Sequence, residues 1–204
     1  MSEQWRLFIA IELPGDVQRA LARLQADFVR RVPEHLLKPV RPEGIHLTLK
    51  FLGDVPVKQL GAIGDALDQA ASRHKPFDLT VAGIGCFPNT RRPNAIWAGV
   101  EGDVRSLKSL HLQVEKFVAP LGYPSEERGF TPHLTLARTR RQYGGEELQA
   151  VGQAVLDMEV GEIARWQVTE VSLMRSELRP SGAVYTLLRE ARLGGQDDSR
   201  TDKA

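Results

Sequence analysis

The sequence predicts an α+β fold of two pseudo-symmetric lobes that face each other. Some apolar segments alternate with polar residues as strands do, while others repeat at helical spacing. The tetrapeptide His-Leu-Thr-Leu occurs at 46–49 and again 87 residues later at 133–136. The same offset superposes Gly-Asp-Val at 15–17 on Gly-Asp-Val at 102–104. Two copies of one unit in 204 residues indicate a duplicated lobe and not a solenoid.

The sequence predicts a similar order of strands and helices in each half of the chain. The first strand ends at Leu13-Pro14-Gly15, and Asp16 can cap the helix that follows. A proline-rich loop then leads to a strand that carries the first His-Leu-Thr-Leu and alternates cleanly between its two faces. Strands are predicted at 7–11, 45–53, 77–84, 95–100, 130–138, 165–174 and 183–189. Helices are predicted at 17–31, 57–73, 104–118 and 145–157.

The predicted organisation is one bilobal domain over 1–193. Its repeat halves cover about 5–94 and 95–190. From Gly194 the sequence is polar and has no apolar anchor, so a disordered tail is expected over 194–204.

Composition limits the classes of partner. The chain has 27 Lys and Arg against 26 Asp and Glu, a net charge of +1, which argues against a grip on many phosphates of a long nucleic acid. A small phosphorylated ligand held by one or two arginines remains compatible with it. The longest apolar runs are about six residues, far short of the ~20 that cross a bilayer. The single cysteine and the absence of a secretory signal pattern favour a cytoplasmic protein without membrane contact.

The repeated histidine and threonine are the candidate functional groups. Strand alternation places His46 and Thr48 on one face while the leucines between them face the lobe core. If the pseudo-symmetry brings the second copy alongside, His133 and Thr135 join them in one cleft. His35, His74 and His111 lack the threonine and are expected to be surface or structural residues.

Two imidazoles and two hydroxyls suit phosphodiester chemistry without a metal. A neutral histidine can activate water as general base, and a protonated one can act as general acid on the leaving oxygen. A threonine hydroxyl can donate to a non-bridging phosphate oxygen. The expected pH dependence of the rate is a bell with both limbs near neutrality.

Arg138 is a further candidate for binding the phosphate, provided that the strand is irregular near it. It lies five residues after His133, so strict alternation places it on the opposite face of the strand. Only a bend, a bulge or a strand end near Ala137 would direct its guanidinium at a phosphate.

A metal or cofactor site is not predicted. A catalytic zinc held by His46 and His133 would need a third protein ligand, and neither HExxH nor CxxC is present. The glycines at 83 and 85 lack the spacing and the following lysine of a phosphate-binding loop.

The paired motifs resemble those of the two-histidine phosphoesterase superfamily, and most closely the RNA 2′,3′-cyclic phosphodiesterases, historically called 2′-5′ RNA ligases. Their contexts are HLTLKFLG at 46–53 and TPHLTLAR at 131–138. The resemblance spans roughly residues 5–190, and neither motif departs from the pattern. Further agreement comes from Arg6 to Ile11, Gly85 to Pro88 with Trp97, Ser176 to Leu178, and Gly182 to Tyr185.

The resemblance implies an antiparallel sheet in each lobe and an active site in the groove between them. It also implies metal-independent hydrolysis of an RNA 2′,3′-cyclic phosphate to a 2′-phosphate, with cleavage of the bond to O3′. We assign His46 as general acid toward O3′ and His133 as general base toward water, although pseudo-symmetry leaves the reverse assignment open.

The same resemblance implies that Thr48 and Thr135 donate hydrogen bonds to the non-bridging phosphate oxygens. It also implies that Arg138 binds the phosphate or stacks on the nucleoside. Phe51 is a candidate for base stacking, with core packing as its alternative. The implied partners are RNA 3′ ends or short oligonucleotides with a 2′,3′-cyclic phosphate, bound by a monomer without a cofactor.

Three alternatives stay open on the sequence. The same groups could join a cyclic phosphate end to an RNA 5′-hydroxyl, as a 2′-5′ RNA ligase does, or hydrolyse another small cyclic phosphate such as ADP-ribose 1″,2″-cyclic phosphate. A non-catalytic nucleotide-binding module is the alternative from a different class. Retention of both histidines and both threonines favours an enzyme, since binding alone does not need an acid–base pair.

Overall fold

The computed structural model describes residues 3–125, 129–140, 142–179 and 182–194. The helices in this part of the chain are α1 (Gly15–Val29), α2 (Leu60–Ala71), α3 (Val104–Val118) and α4 (Glu146–Leu156). The strands are β1 (Gln4–Ile11), β2 (Leu37–Pro39), β3 (Leu47–Pro56), β4 (Phe77–Phe87), β5 (Ala95–Gly102), β6 (His133–Thr139), β7 (Glu162–Val168), β8 (Glu170–Arg179) and β9 (Gly182–Arg192). None of the described helices is long and apolar enough to cross a membrane.

The strands form two antiparallel sheets, as expected. The four-stranded sheet has the order β3-β1-β8-β9, and the five-stranded sheet has the order β2-β6-β5-β4-β7. Helices α2 and α3 pack on the four-stranded sheet, whereas α1 and α4 pack on the five-stranded sheet. The α+β class and the two-sheet architecture predicted from the sequence are confirmed.

The two lobes do not coincide with the two halves of the sequence. From the first half, α1 and β4 pack with the five-stranded sheet, while β1 and β3 lie in the other sheet. From the second half, α3 and β8 pack with the four-stranded sheet. Each lobe therefore needs elements from both halves, and neither half can complete a lobe alone.

Three predicted elements need correction. The strand expected at 165–174 is two strands, β7 and β8, which separate at Thr169 and enter different sheets. Alternation shifts phase at Thr169 and Glu170, two adjacent polar residues that separate the buried Val168 from the buried Val171, so the pattern does carry a local sign of the switch. The proline-rich loop contains the short strand β2, and the strand expected from residue 45 begins at Leu47, so that His46 immediately precedes it. The predicted tail lies outside the described residues from 195 onward.

A β-bulge follows the threonine of each motif. In the β1–β3 pair, Ala10 is opposite Thr48 and Ile9 is opposite Lys50, which leaves Leu49 as the extra residue. In the β5–β6 pair, the register shifts between Ile96 and Trp97 and leaves Leu136 as the extra residue. The two bulged leucines are 87 residues apart, so the bulge belongs to the repeat.

The first bulge turns Lys50 toward the interior. Its side chain is 3% exposed, and its ammonium donates to the Glu115 carboxylate at 2.9 Å and to the Pro124 carbonyl at 2.6 Å. Glu115 lies on α3, so this ion pair joins the two halves of the sequence within one lobe. A buried ammonium without its counter-charge is strongly unfavourable.

Replacement of Glu115 by leucine should lower the free energy of unfolding by about 3 to 5 kcal/mol, because Lys50 stays buried without a counter-charge. Urea denaturation measures this loss. The double variant Lys50→Met/Glu115→Leu should recover most of it, since it removes both charges. A single-variant loss below about 1 kcal/mol would contradict the assigned role of the pair.

Candidate active site

His46 lies on the groove side of the four-stranded sheet. Its imidazole stacks on Phe8 with ring centroids 4.6 Å apart, and the ring of Tyr185 meets it edge-on at 5.0 Å. Phe8 and Tyr185 belong to a small apolar cluster that is separate from the main core. This cluster forms the floor beneath the first histidine.

His133 opens β6 and lies among aromatic rings of the other lobe. Phe87 meets it edge-on at 5.0 Å, and the ring centroid of Trp97 is 6.4 Å away. Thr135 is opposite Trp97 in the sheet, and Thr48 is opposite Ala10 in the other sheet. Paired residues share a face, so both threonines point to the groove side as predicted.

Each histidine is oriented by a carbonyl two residues before it. Nδ1 of His133 is 2.8 Å from the Thr131 carbonyl oxygen, and His46 makes the corresponding hydrogen bond to the backbone of Gly44. A carbonyl only accepts, so Nδ1 of His133 carries the hydrogen. In the neutral ring Nε2 then has a free lone pair, which can take a proton from water.

Burial lowers the pKa of both histidines. Desolvation lowers the pKa of His46 to about 4, and the hydrogen bond to Gly44 opposes this only in part. The pKa of His133 is also lowered, first by desolvation and further by the positive charge of Arg138, while the bond to Thr131 raises it. Both rings are therefore mainly neutral at pH 7 in the free protein.

The bulges direct Phe51 and Arg138 into the groove. Phe51 is opposite Phe8, and Arg138 is opposite Ala95, which lies on the groove face two residues before Trp97. Strict alternation would have placed both side chains in the core. They occupy equivalent positions of the repeat, 87 residues apart, and Phe51 is 59% exposed. The bulge at Leu136 thus supplies the irregularity on which the Arg138 hypothesis depended.

The backbone at each bulge is held by a helix from the opposite half of the sequence. Gln25 on α1 donates from Nε2 to the carbonyls of Leu136 and Val40, at 2.6 and 2.7 Å. His111 on α3 donates from Nδ1 to the Leu49 carbonyl at 3.0 Å. These bonds add side-chain donors to carbonyls where the ladder is interrupted, and the Leu136 carbonyl also accepts from the Val40 N–H at 2.8 Å.

Two cavities meet at Phe51, which lines both. The first, which we call the basic cavity, measures about 710 Å³, and no carboxylate is among its described lining residues. Its cationic and aromatic lining comprises Arg6, Lys38, Arg138, Arg140, Phe8, Phe51 and Tyr185. The second, the aromatic cavity, measures about 510 Å³ and includes Thr48, Phe51, Phe87, Pro88, His111, Phe130 and His133 in its lining.

The site residues predicted from the sequence are distributed over the two cavities and the apolar cluster beneath His46. His133 and Thr48 border the aromatic cavity, and Arg138 borders the basic cavity. His46 and Thr135 line neither, but His46 packs directly on Phe8 and Tyr185, which border the basic cavity. The Arg138 charge acts on both His133 and Tyr185, so it connects the two sides of the groove.

Several groove residues were not identified from the sequence. The alternation of Phe8 with the buried Leu7 and Ile9 could have placed Phe8 on the groove face. The β2 residue Lys38 gave no such signal, since three residues in a proline-rich loop do not predict a strand. His111 was expected only as a surface or structural residue, but it also lines the aromatic cavity.

No group of three or more His, Cys, Asp or Glu side chains placed to hold a metal ion is found within the described segments.

The family model described as LigT like Phosphoesterase matches residues 11–97 and again residues 100–185. The chain belongs to this family. Each match contains one copy of the repeat with its histidine, bulge and groove-facing residue. The family resemblance inferred from the motifs is confirmed.

Curated relatives and solved structures agree with this membership. An RNA 2′,3′-cyclic phosphodiesterase of Methanothermobacter thermautotrophicus is 32% identical over 188 residues, covering 92% of this chain and 98% of that protein. One of Thermus thermophilus is 36% identical over 199 residues, covering 94% and 91%. The crystal structure of TT0787 from Thermus thermophilus matches with a TM-score of 0.72 at 33% identity, covering 94% of this chain and 99% of that one. Escherichia coli LigT complexed with 3′-AMP matches with a TM-score of 0.70 at 26% identity, with the same coverage.

The lowered histidine pKa values predict the pH dependence of ligand binding. An NMR titration of the free protein should show His46 titrating near pH 4 and His133 below pH 6.5. A bound phosphate should raise both pKa values, because its negative charge stabilises each imidazolium. Because kcat/KM reports the pKa values of the free enzyme, its alkaline limb is expected below about pH 6.5, in place of limbs centred on neutrality. An unshifted His46, titrating near 6.5 in the free protein, would contradict the buried environment.

Gln25 should act on ligand binding through Arg138. Gln25→Leu removes the donor to Leu136 and should raise KM several-fold, equivalent to about 1 kcal/mol, with little change in kcat. In an Arg138→Ala background the same substitution should have no further effect on KM. Additive effects of the two substitutions on KM would show that Gln25 does not act through Arg138.

Proposed function

We propose that this protein hydrolyses the 2′,3′-cyclic phosphate end of RNA to a 2′-phosphate, without a metal ion. The observation that carries the proposal is the pair of groove-facing histidines, each oriented by a carbonyl two residues before it. Membership of a phosphoesterase family and the names of the relatives support it.

In this mechanism His133 acts as general base. The Nε2 lone pair takes a proton from water, and the resulting oxygen attacks phosphorus. The bond from phosphorus to O3′ breaks, and O3′ takes a proton from His46. The product is a 2′-phosphate with a free 3′-hydroxyl, and exchange of protons with solvent restores both rings.

The assignment of His46 as acid requires its protonation in the complex. With a pKa of about 4, the free ring is mainly neutral at pH 7. The negative phosphate diester favours the imidazolium and raises this pKa when it binds. Substrate binding therefore helps to charge the acid that the reaction needs.

The groups next to the histidines stabilise the charge on the phosphate and bind the rest of the substrate. Thr48 and Thr135 donate to the non-bridging oxygens, and Arg138 adds a guanidinium beside them. Phe51 offers an exposed ring on which the terminal base stacks. The preceding phosphates of a short RNA lie along the basic cavity, where Arg6 and Lys38 contribute positive charge.

The groove is built within one chain, so we propose that the monomer is active. A cytoplasmic location remains a prediction from the sequence.

The test is incubation with a short RNA that ends in a 2′,3′-cyclic phosphate, in the presence of EDTA, with identification of the end group. A 2′-phosphate product is expected. A strict requirement for added divalent metal, or a 3′-phosphate product, would contradict the proposed scheme.

Alanine substitutions distinguish the roles of the histidines from those of the threonines. His46→Ala and His133→Ala should each lower turnover by a factor on the order of 10² to 10⁴. Thr48→Ala and Thr135→Ala should cost less, on the order of 10 to 10³. His35→Ala is the matched control, because this histidine is exposed, packs on Tyr143 and lines neither cavity. A loss below about threefold at His133 would remove it from the mechanism.

A further inference from the structure

His111 on α3 contacts two parts of the groove that belong to different motifs. Its Nδ1 donates to the carbonyl of Leu49, the bulged residue of the first motif, at 3.0 Å. Its ring stacks on Phe130 with centroids 4.1 Å apart and an interplanar angle of 12°. The mechanism above assigns no role to the ring of His111 or to Phe130.

The hydrogen bond to Leu49 fixes the backbone between two groups of the first motif. The Leu49 carbonyl belongs to the peptide at the bulge, with Thr48 before it and Phe51 after it. A rotation of this peptide would turn both side chains away from the face that the bulge gives them. The bond from His111 therefore stabilises the groove-facing positions of Thr48 and Phe51.

The stack on Phe130 reaches the second motif. Phe130 immediately precedes Thr131, whose carbonyl accepts the hydrogen bond from Nδ1 of His133 at 2.8 Å. Residues 129–132 form neither helix nor strand, so a regular ladder does not fix the position of this carbonyl. The Phe130 ring packs against the main core, and the His111 ring covers one of its faces. The stack thus holds the residue next to the carbonyl that orients His133.

Both contacts act on one side of the groove. The aromatic cavity brings together the groups on which His111 acts, and His111 itself forms part of its wall. Those groups are Thr48, Phe51, Phe130, Thr131 and His133.

We propose that His111 is a positioning residue that couples the two motifs. Its hydrogen bond places the bulge after Thr48, and its stack on Phe130 places the loop that orients His133. This inference rests on the proposed function, which gives these groups their roles at the phosphate. His111 acts through its neighbours and not on the reacting atoms.

The bond between Thr131 and His133 determines the tautomer of the general base. With the hydrogen held on Nδ1, the neutral ring keeps a lone pair on Nε2. If the loop shifts and this bond is lost, the hydrogen can move to Nε2, and that tautomer cannot take a proton from water there. Nitrogen NMR of the imidazole distinguishes the two tautomers, so it reports whether His111 acts on His133.

Two substitutions of His111 separate its two contacts. His111→Asn keeps an N–H group that can donate to Leu49 but removes the ring, whereas His111→Phe keeps a ring but removes the donor. At alkaline pH, where the ring is neutral, His111→Asn should convert His133 from the Nδ1–H tautomer to a mixture of both. It should lower kcat on a short RNA with a 2′,3′-cyclic phosphate roughly 3- to 10-fold, with little change in KM.

His111→Phe should have the opposite pattern. The tautomer of His133 should stay as in the unsubstituted protein, because the stack on Phe130 remains. KM should rise roughly 3- to 10-fold, because Phe51 is then less well placed to stack on the terminal base.

Two further variants complete the comparison. Phe130→Leu removes the stack from its other side and should reproduce the tautomer mixture and the lower kcat of His111→Asn. His74→Asn is the matched control, because this histidine also donates from Nδ1 to a backbone carbonyl, that of Ala70, but lines neither cavity. It should leave the His133 tautomer, kcat and KM unchanged.

An unchanged His133 tautomer in His111→Asn or in Phe130→Leu would overturn the proposal. Equal changes of kcat and KM in the two His111 variants would also overturn it, since they indicate a general loss of stability. The tautomer is measured without turnover, so failure to hydrolyse a cyclic phosphate would contradict the proposed function and not the measured coupling. Hydrolysis by the unsubstituted protein, together with an unchanged tautomer in His111→Asn, would contradict the coupling alone.

Discussion

The two β-bulges that follow the His-Leu-Thr-Leu motifs are the constraint on which the groove depends. Each bulge lets the histidine and threonine before it and the residue after it reach the same face of the sheet, although alternation would separate them. In β3 this brings Phe51 to the groove, and in β6 it brings Arg138. The same backbone irregularity, present twice, therefore places an aromatic ring and a cation at equivalent positions around the proposed phosphate site.

The exchange of elements between the halves stabilises these bulges. Because α1 packs with β6 and α3 packs with β3, each bulge receives a side-chain donor from the opposite half of the sequence: Gln25 for Leu136 and His111 for Leu49. The buried Lys50–Glu115 pair adds a further link of the same kind. The groove geometry and the folding of the whole domain are thus coupled. A lobe formed by one half alone would lack the contacts that hold its own bulge.

The sequence predicted those features that local pattern and repetition determine. Helix α3 has its predicted bounds because its apolar face repeats at helical spacing and Asp103 caps it through the Ser106 amide. The histidine and threonine pairs could be recognised because the repeat singles them out. The face of Phe51 could not be predicted, since it depends on pairing register with a distant strand. One predicted strand proved to be β7 and β8, whose partners lie in different sheets; the phase shift of alternation at Thr169 and Glu170 was the local signal for this division.

The central claim is that both imidazoles contact one phosphate, with Arg138 beside it. The most direct test is a crystal structure of the protein with bound 2′-AMP. The account predicts the phosphate within hydrogen-bond distance of His46, His133 and the Arg138 guanidinium, with the adenine against Phe51. A phosphate held by the cations of the basic cavity and out of reach of either histidine would contradict it.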